Sequence, residues 1–402
     1  MATGSDAIRG LLSAAAVRER AHEMLGLALD GQVEGWRIDL ARLEDAADLT
    51  AQVTRENYPA LDIPLHARAR HFVAGAPKLP GRGAEKARAA FDVIIVSVLL
   101  DAGAGPGWGF VDPVTGRRLE RSEGLAVASQ RMFEAGAFSA DPREPMRVDA
   151  GVLAGIGPDT LARGFQVGAD NPLAGLEGRA ALLRRLGAQA LARPDLFAFA
   201  NEPRPGGLYD ALAARALDGI LPAPAILELL LEALGPIWAD RLTLAGLPLG
   251  DCWRHPAIRR DDAGDGLVPL HKLSQWLAYS LIEPLQASGL AVTDMDGLTG
   301  LAEYRNGGLF VDAGVLVPTE PRAAAREYHV SDPFIVAWRS MTVALLDRMA
   351  PLVRARLGVA EADFPLARML EGGSWAAGRR IAAERRPGGG PPFTIISDGT
   401  VF

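Results

Sequence analysis

The segment that most constrains the fold is VIIVSVLL, Val93 to Leu100, bounded by Asp92 and Asp101. It is apolar on every side, so as a helix it offers no face to water and must be enclosed by other elements. A membrane span needs about 20 apolar residues, so this shorter run is a buried core element. Upstream, GAEKARAAFD carries charge, and downstream a glycine cluster stops the pattern. Residues 84–104 therefore predict one long helix that turns fully apolar as it enters a core. Ala-, Leu- and Arg-rich segments dominate the rest of the chain, and the alternating pattern of half-buried strands is scarce.

Helices are expected at 6–29 and from Trp36 to just before Pro59. Further helices are expected at 124–136, 158–165, 175–192, 208–218, 223–235, 267–288, 297–304, 321–326, 333–357, 363–370 and 374–385. Residues 103–124 form the longest irregular stretch, with a hairpin expected at Asp112 to Gly116. The tail, RRPGGGPPFTIISDGTVF, combines a Gly/Pro linker with one strand-like run, Phe393 to Ser397. This is a mainly α architecture with a few short strands. A soft division near 145–165 separates an N-terminal helical region, 1–150, from 151–402, unless the whole forms one compact unit; 402 residues suffice for either.

Composition narrows the function. A hydrophobic fraction of 49% against 23% charged residues describes a globular chain, not a disordered one. The net charge of −7, from 42 Lys and Arg against 49 Asp and Glu, argues against nucleic acid as the main partner. A local basic pocket for one phosphate remains compatible with that balance. The single cysteine, Cys252, excludes an internal disulfide and a cysteine-based zinc site. The opening MATGSDAIRGLL lacks the basic and apolar regions of a signal peptide, so a cytoplasmic protein without a membrane partner is expected.

Three segments could carry chemistry. In VPLHKLSQWLAYSLIEPL, Leu273, Trp276, Leu277 and Leu281 fall on one helical arc, and His271, Lys272, Gln275 and Tyr279 fall on the other. That mixture suits a pocket wall for an anionic or hydroxyl-rich ligand; the alternative is a solvated face. In TDMDGLTGLAEYRNGGLFVDAGVL (293–316), Asp294, Asp296, Glu303, Tyr304, Arg305 and Asp312 crowd together. A GLTGLAEYR helix would present Thr299, Glu303 and Asn306 near one face, with Gly307-Gly308 ending it. A carboxylate there, beside Arg305 and Lys272, suits a general base or the stabilisation of an oxocarbenium-like cation; the alternative is a surface ion-pair network. The tail ISDGTVF could fold back and present Asp398 or its own carboxylate, or pack as an edge strand.

Of the six histidines, His66, His71, His255, His271 and His329 sit in motif-like contexts, and only His22 looks like ordinary helix surface. No pair has the H-E-x-x-H spacing of a metal site. Hydrogen bonding near a polar ligand is the expected use, and no metal or cofactor is assigned. In VLAGIGPDTLARGF (152–165), the Gly155-Ile156-Gly157-Pro158 turn resembles the hairpin of helix-hairpin-helix proteins, including DNA glycosylases. Pro158 suits the first position of a helix and the turn amides can hold a phosphate. A plain tight turn between helices is the alternative, and the acidic balance favours a shared scaffold over duplex binding.

Together, IPLHARARHF, FQVGADNPLAGLEGR, GLTGLAEYRNGGLFVD and ISDGTVF resemble the uracil-catabolism family of fungi and bacteria, which is linked to a ring-opening uracil pathway. The resemblance covers nearly the whole chain. More distantly, HKLSQW followed by DMDGLTGLAEYR is similar to motifs of queuosine salvage N-glycosidases, helical proteins of DNA-glycosylase-like fold. Lys272, Tyr304 and Arg305 match that motif in type, while Glu303 stands where it has aspartate.

These resemblances imply a helical DNA-glycosylase-like architecture and a nucleoside-like or nucleotide-like small-molecule substrate. Cleavage of the C1′–N bond of ribosylurea or its 5′-phosphate would give urea and ribose (phosphate). Glu303 and Lys272 are the implied catalytic pair. His271, Gln275, Tyr304, Arg305 and Asp296 would line the ligand. Trp253 or Trp108 would form an apolar wall, and His255 would protonate the departing nitrogen. Two rival readings stand beside this one: a metal-dependent amidohydrolase using His66, His71, His255 or His329, and a non-catalytic pathway subunit.

Overall fold

The apolar run forms the C-terminal part of the helix Gly83–Leu99 in the computed structural model, which describes residues 4–105 and 107–396. Residues 91–99 are all buried, including Asp92. That carboxylate is matched by Arg204 and accepts the N–H groups of Val148 at 3.0 Å and Gly206 at 2.6 Å. Burial still raises its pKa against those partners. The hairpin expected at Asp112 also forms, pairing Phe110–Val111 with Arg118–Leu119. The hydrogen bonds of Arg131 hold Asp112 well below the usual carboxylate range, and Thr115 caps the turn from its hydroxyl at 2.7 Å.

The architecture is mainly α, with short strands paired two at a time. The described chain divides into two units that interleave along the sequence. The first comprises residues 4–66, 241–275 and 294–396; the second comprises 67–240 and 276–293. The boundary expected near 145–165 thus falls inside the second unit. The division depends on which distant segments pack together, and composition carries no trace of that.

In the second unit the helix Gly83–Leu99 packs with Arg121–Glu134 and Leu208–Arg215, and Ala150–Ala154 lies against Leu176–Ala192. The Gly157-Pro158 turn joins Ala150–Ala154 to Pro158–Gly164, with proline in the first turn of the second helix. In the first unit, the 25-residue helix Pro333–Leu357 packs against Ala14–Leu29 and Leu43–Asn57. Tyr304–Asp312 packs against Trp375–Arg385 in the same unit. Phe393 begins the strand-like run of the tail, its ring edge-on to Phe334 and Trp338, and Thr394–Ile395 pairs in parallel with Glu327–Tyr328. The remainder of ISDGTVF, with Asp398, lies outside the described residues. Among the described residues no helix is long and apolar enough to cross a membrane.

Four expected helices are broken by local chemistry. Ser13 caps the helix Ala14–Leu29, accepting from Ala16 at 3.2 Å, and so ends the preceding one. Trp36–Ile38 is a strand paired with Leu316–Pro318. Leu267–Pro269 is likewise a strand, paired with Cys252–Arg254, so the following helix starts only at Lys272. Residues 297–304 are not helical beyond one short turn at Met295–Gly297; the helix there is Tyr304–Asp312. Gly307 lies inside that helix because a Cβ would sit 2.8 Å from the indole of Trp338. It therefore serves close packing, not the end of the helix.

Candidate functional site

The site in the first unit is organised by Asp251, on the turn before the strand Cys252–Arg254. Its backbone carbonyl accepts from the amides of Leu270 at 2.9 Å and His271 at 3.0 Å. Its carboxylate accepts two bonds of 2.8 Å from Arg339, one of 2.7 Å from the Trp253 indole and one of 2.9 Å from the Lys272 backbone N–H. Burial works to raise the pKa of Asp251, but the Arg339 charge and these bonds hold it well below the ordinary range. Arg339 also donates from Nε to the carbonyl of Ala302 at 3.1 Å. One buried ion pair thus fixes both the start of the Lys272 helix and the residue preceding Glu303.

Glu303 is the N-cap of Tyr304–Asp312. Its two carboxylate oxygens accept the N–H groups of Arg305 and Asn306, each at 2.6 Å. That capping is what starts the helix here and not earlier. The side chain is buried, at 7% exposure. Burial raises its pKa, opposed by the Lys272 ammonium, by the two backbone bonds and by Arg305. The result is a carboxyl group that holds its proton more firmly than usual, beside a buried lysine.

In this unit the polar residues expected from the sequence are buried: His271, Lys272 and Gln275 are each at most 8% exposed, and Tyr279, further along the same helix in the second unit, is buried as well. A solvated helix face is excluded by those values. Gln275 bonds both the hydroxyl and the amide of Thr299, bracing the loop that leads to Glu303. His271 adopts a left-handed backbone, φ +47°, and its Nε2–H donates to the Leu11 carbonyl at 2.9 Å. That leaves a lone pair on Nδ1, which is buried without a partner. Burial lowers the His271 pKa, so the ring is a neutral acceptor and not a cationic anchor. Arg305 donates to the Gly389 carbonyl at 2.6 Å and lies 4.8 Å from the half-buried Tyr304 ring. Arg305 Nε and Asn306 Oδ1 are two further buried polar atoms without partners.

The structure draws other expected residues away from this group. Asp296 pairs with Arg354 at 2.7 Å and accepts the Leu366 N–H at 2.7 Å, which makes it a brace. Trp108 belongs to the second unit, fully buried, with its indole N–H on the Phe165 carbonyl at 3.0 Å. Trp253 does stand beside the site, its indole committed to Asp251. His255 is buried, accepts from Ala257 at 3.1 Å, and has its pKa pushed down to about 4 by burial. It is uncharged near neutral pH, the wrong state for the proton donor expected of it. Cys252 is buried too, and burial pushes its thiol up to about 12, so it is not a reactive nucleophile.

The histidines do not gather. His66 bonds Glu371 at 2.8 Å, His71 bonds Ser122 in the second unit at 2.8 Å, and His329 is exposed. Among the described residues no three His, Cys, Asp or Glu side chains form a group that could hold a metal ion. Sequence reading missed Asp251 and Arg339. The signal for Arg339 was present: an arginine inside the apolar helix DPFIVAWRSMTVALLD must have a buried partner. Asp251, in GDCWRHP, carried no comparable mark.

Close packing holds Glu303 in place. A Cβ on Gly378, in the helix Trp375–Arg385, would collide with the Arg305 carbonyl oxygen. Gly378→Ala must push the Glu303-capped helix away and is expected to destabilise the chain by about 1–3 kcal/mol. Guanidinium chloride unfolding measures this, and an unchanged midpoint would show that the two helices do not meet so closely.

Comparison with known proteins bears on the whole chain. A family profile described as "Protein of unknown function (DUF1688)" matches residues 10–402. Protein urg3 of Schizosaccharomyces pombe is 39% identical over 418 residues, covering 99% of this chain and 100% of that protein. Uracil catabolism protein 4 of Lachancea kluyveri is 36% identical over 414 residues, covering 93% of each.

Proposed function

From the premise that the chain belongs to the DUF1688 family, we propose that it is a hydrolase that cleaves the C1′–N bond of ribosylurea or its 5′-phosphate. Kinship with a protein named for uracil catabolism supports a role in that process. The observation that carries the chemical reading is the buried Glu303 carboxyl, its pKa raised, beside the buried Lys272. A base poised above the ordinary carboxylate range is better matched to work near neutral pH.

In this reading the ionised form of Glu303 orients a water molecule and takes its proton as the water oxygen bonds to C1′. The C1′–N bond breaks with its electrons passing to the urea nitrogen, which gains a proton from solvent. The products are urea and ribose or ribose 5-phosphate. Lys272 and Arg305 hold phosphate or hydroxyl oxygens. The unpartnered Nδ1 of His271 and Oδ1 of Asn306 accept from hydroxyl groups. The metal-dependent reading lacks an assembled ligand set among the described residues.

Incubating the purified protein with ribosylurea and with its 5′-phosphate, and assaying urea, tests the proposal. Release of urea that persists with a chelator is the expected result. No urea from either compound would overturn it, and release abolished by chelation would move the reaction to metal-assisted hydrolysis.

A further inference from the structure

The second unit holds another polar cluster, at the N-terminus of the helix Arg121–Glu134. Arg68 is fully buried and its Nη1 lies 3.1 Å from the Asp101 carboxylate and donates to Ser122 Oγ at 3.1 Å. Its Nε donates to Ser97 Oγ at 2.7 Å. Ser122 Oγ is 2.8 Å from both carboxylate oxygens of Asp101 and 2.8 Å from Nδ1 of His71. Asp101 and Ser122 are half-buried, so the cluster reaches solvent. Arg121, just before the serine, has φ +53°, a strained conformation for a residue with a side chain. The Trp276 ring centroid lies 5.4 Å from the Arg68 guanidinium and 5.5 Å from the His71 ring.

A structural ion pair would close on itself, with every buried donor satisfied. This one does not: Nη2 of Arg68 is buried and has no acceptor in the protein. It stands beside a carboxylate, so the cluster offers a donor next to acceptors, in contact with an aromatic ring. We propose that it is a binding site for the ureido or primary amide group of a small uncharged ligand.

The ligand carbonyl oxygen would accept from Arg68 Nη2, its N–H groups would donate to Asp101, and its plane would rest against Trp276. An anion fits poorly, because the charge of Arg68 is already balanced by Asp101 and also acted on by Glu123. A sugar diol lacks the flat surface that stacks on an indole. The proposal does not depend on the reading of Glu303.

Saturation-transfer NMR with methylurea on the full chain tests it, with acetate, inorganic phosphate and ribose as comparison probes. Saturable methylurea binding is expected, weakened about tenfold by Asp101→Asn, the loss of one charge-assisted bond, and retained in Glu303→Gln. Ser122→Ala, at a half-exposed position, should weaken it severalfold and carries the test if Asp101→Asn does not fold. Three results would overturn the site: no saturable methylurea signal, binding lost in Glu303→Gln but intact in Asp101→Asn and Ser122→Ala, or preferential binding of a comparison probe.

Discussion

Glu303→Gln is expected to lower urea release from ribosylurea by about 10²–10⁴-fold, the usual contribution of a positioned acid–base group. The amide cannot take a proton from water, yet it keeps the side-chain length and one oxygen to cap the helix. The second cap bond is lost, at about 1 kcal/mol, partly offset because no charge is then buried. Stability should therefore change little while activity collapses. The rate of the unmodified protein should rise with pH through the pKa of Glu303, since the base form is the active one. Stability runs the other way. The folded chain binds this proton more tightly than the unfolded chain, because burial raises the pKa. That contribution is complete below the unfolded value and is lost as pH rises through the folded one. The glutamine variant should lack this component, so its Tm should fall less as pH rises through that interval. Equal rates for the two proteins would remove Glu303 from the mechanism.

Arg339→Met is the second substitution with a large expected effect, here on stability. It leaves Asp251 buried with two N–H donors and no countercharge, which costs about 3–5 kcal/mol. Asp251 now contributes stability above its unfolded pKa, and that contribution is lost as pH falls through its depressed folded value. Without Arg339 the carboxyl prefers its protonated form, so the variant should be least unstable in acid. Guanidinium chloride unfolding at neutral and acid pH measures both effects. A variant as stable as the original at pH 7 would mean that the ion pair does not hold this region together. Arg339→Lys keeps the charge but cannot span Asp251 and the Ala302 carbonyl together. It should fold and release urea more slowly, with a change in kcat as well as KM.

Much of the helical content was legible. The apolar run at 93–100 could only be core, and the helices Pro333–Leu357 and Trp375–Arg385 lie where periodicity put them. Lys272, Gln275 and Glu303 stand out because a histidine, a lysine, an amide and a phenol on one helix face, and carboxylates beside an arginine, are unusual neighbours. Their local structure was read less well. Glu303 was expected within a helix and instead begins one, since a carboxylate that accepts two backbone N–H bonds ends the preceding segment as effectively as it starts the next. The role of Gly307 is not legible locally because its packing partner, Trp338, lies 31 residues away in sequence.

What the sequence alone determined is that this chain is mainly helical, with a mixture of polar residues at 271–306 that is unusual for a solvated helix face. Periodicity, composition and residue type are local, and they were enough for that. The tertiary structure decided which carboxylate is buried, that Asp251 and Arg339 brace it, and that Trp108 and Asp296 serve packing and bracing. It also decided that the two units interleave. Each of these depends on desolvation or on a hydrogen bond between residues distant along the chain, and such quantities exist only once the segments have met.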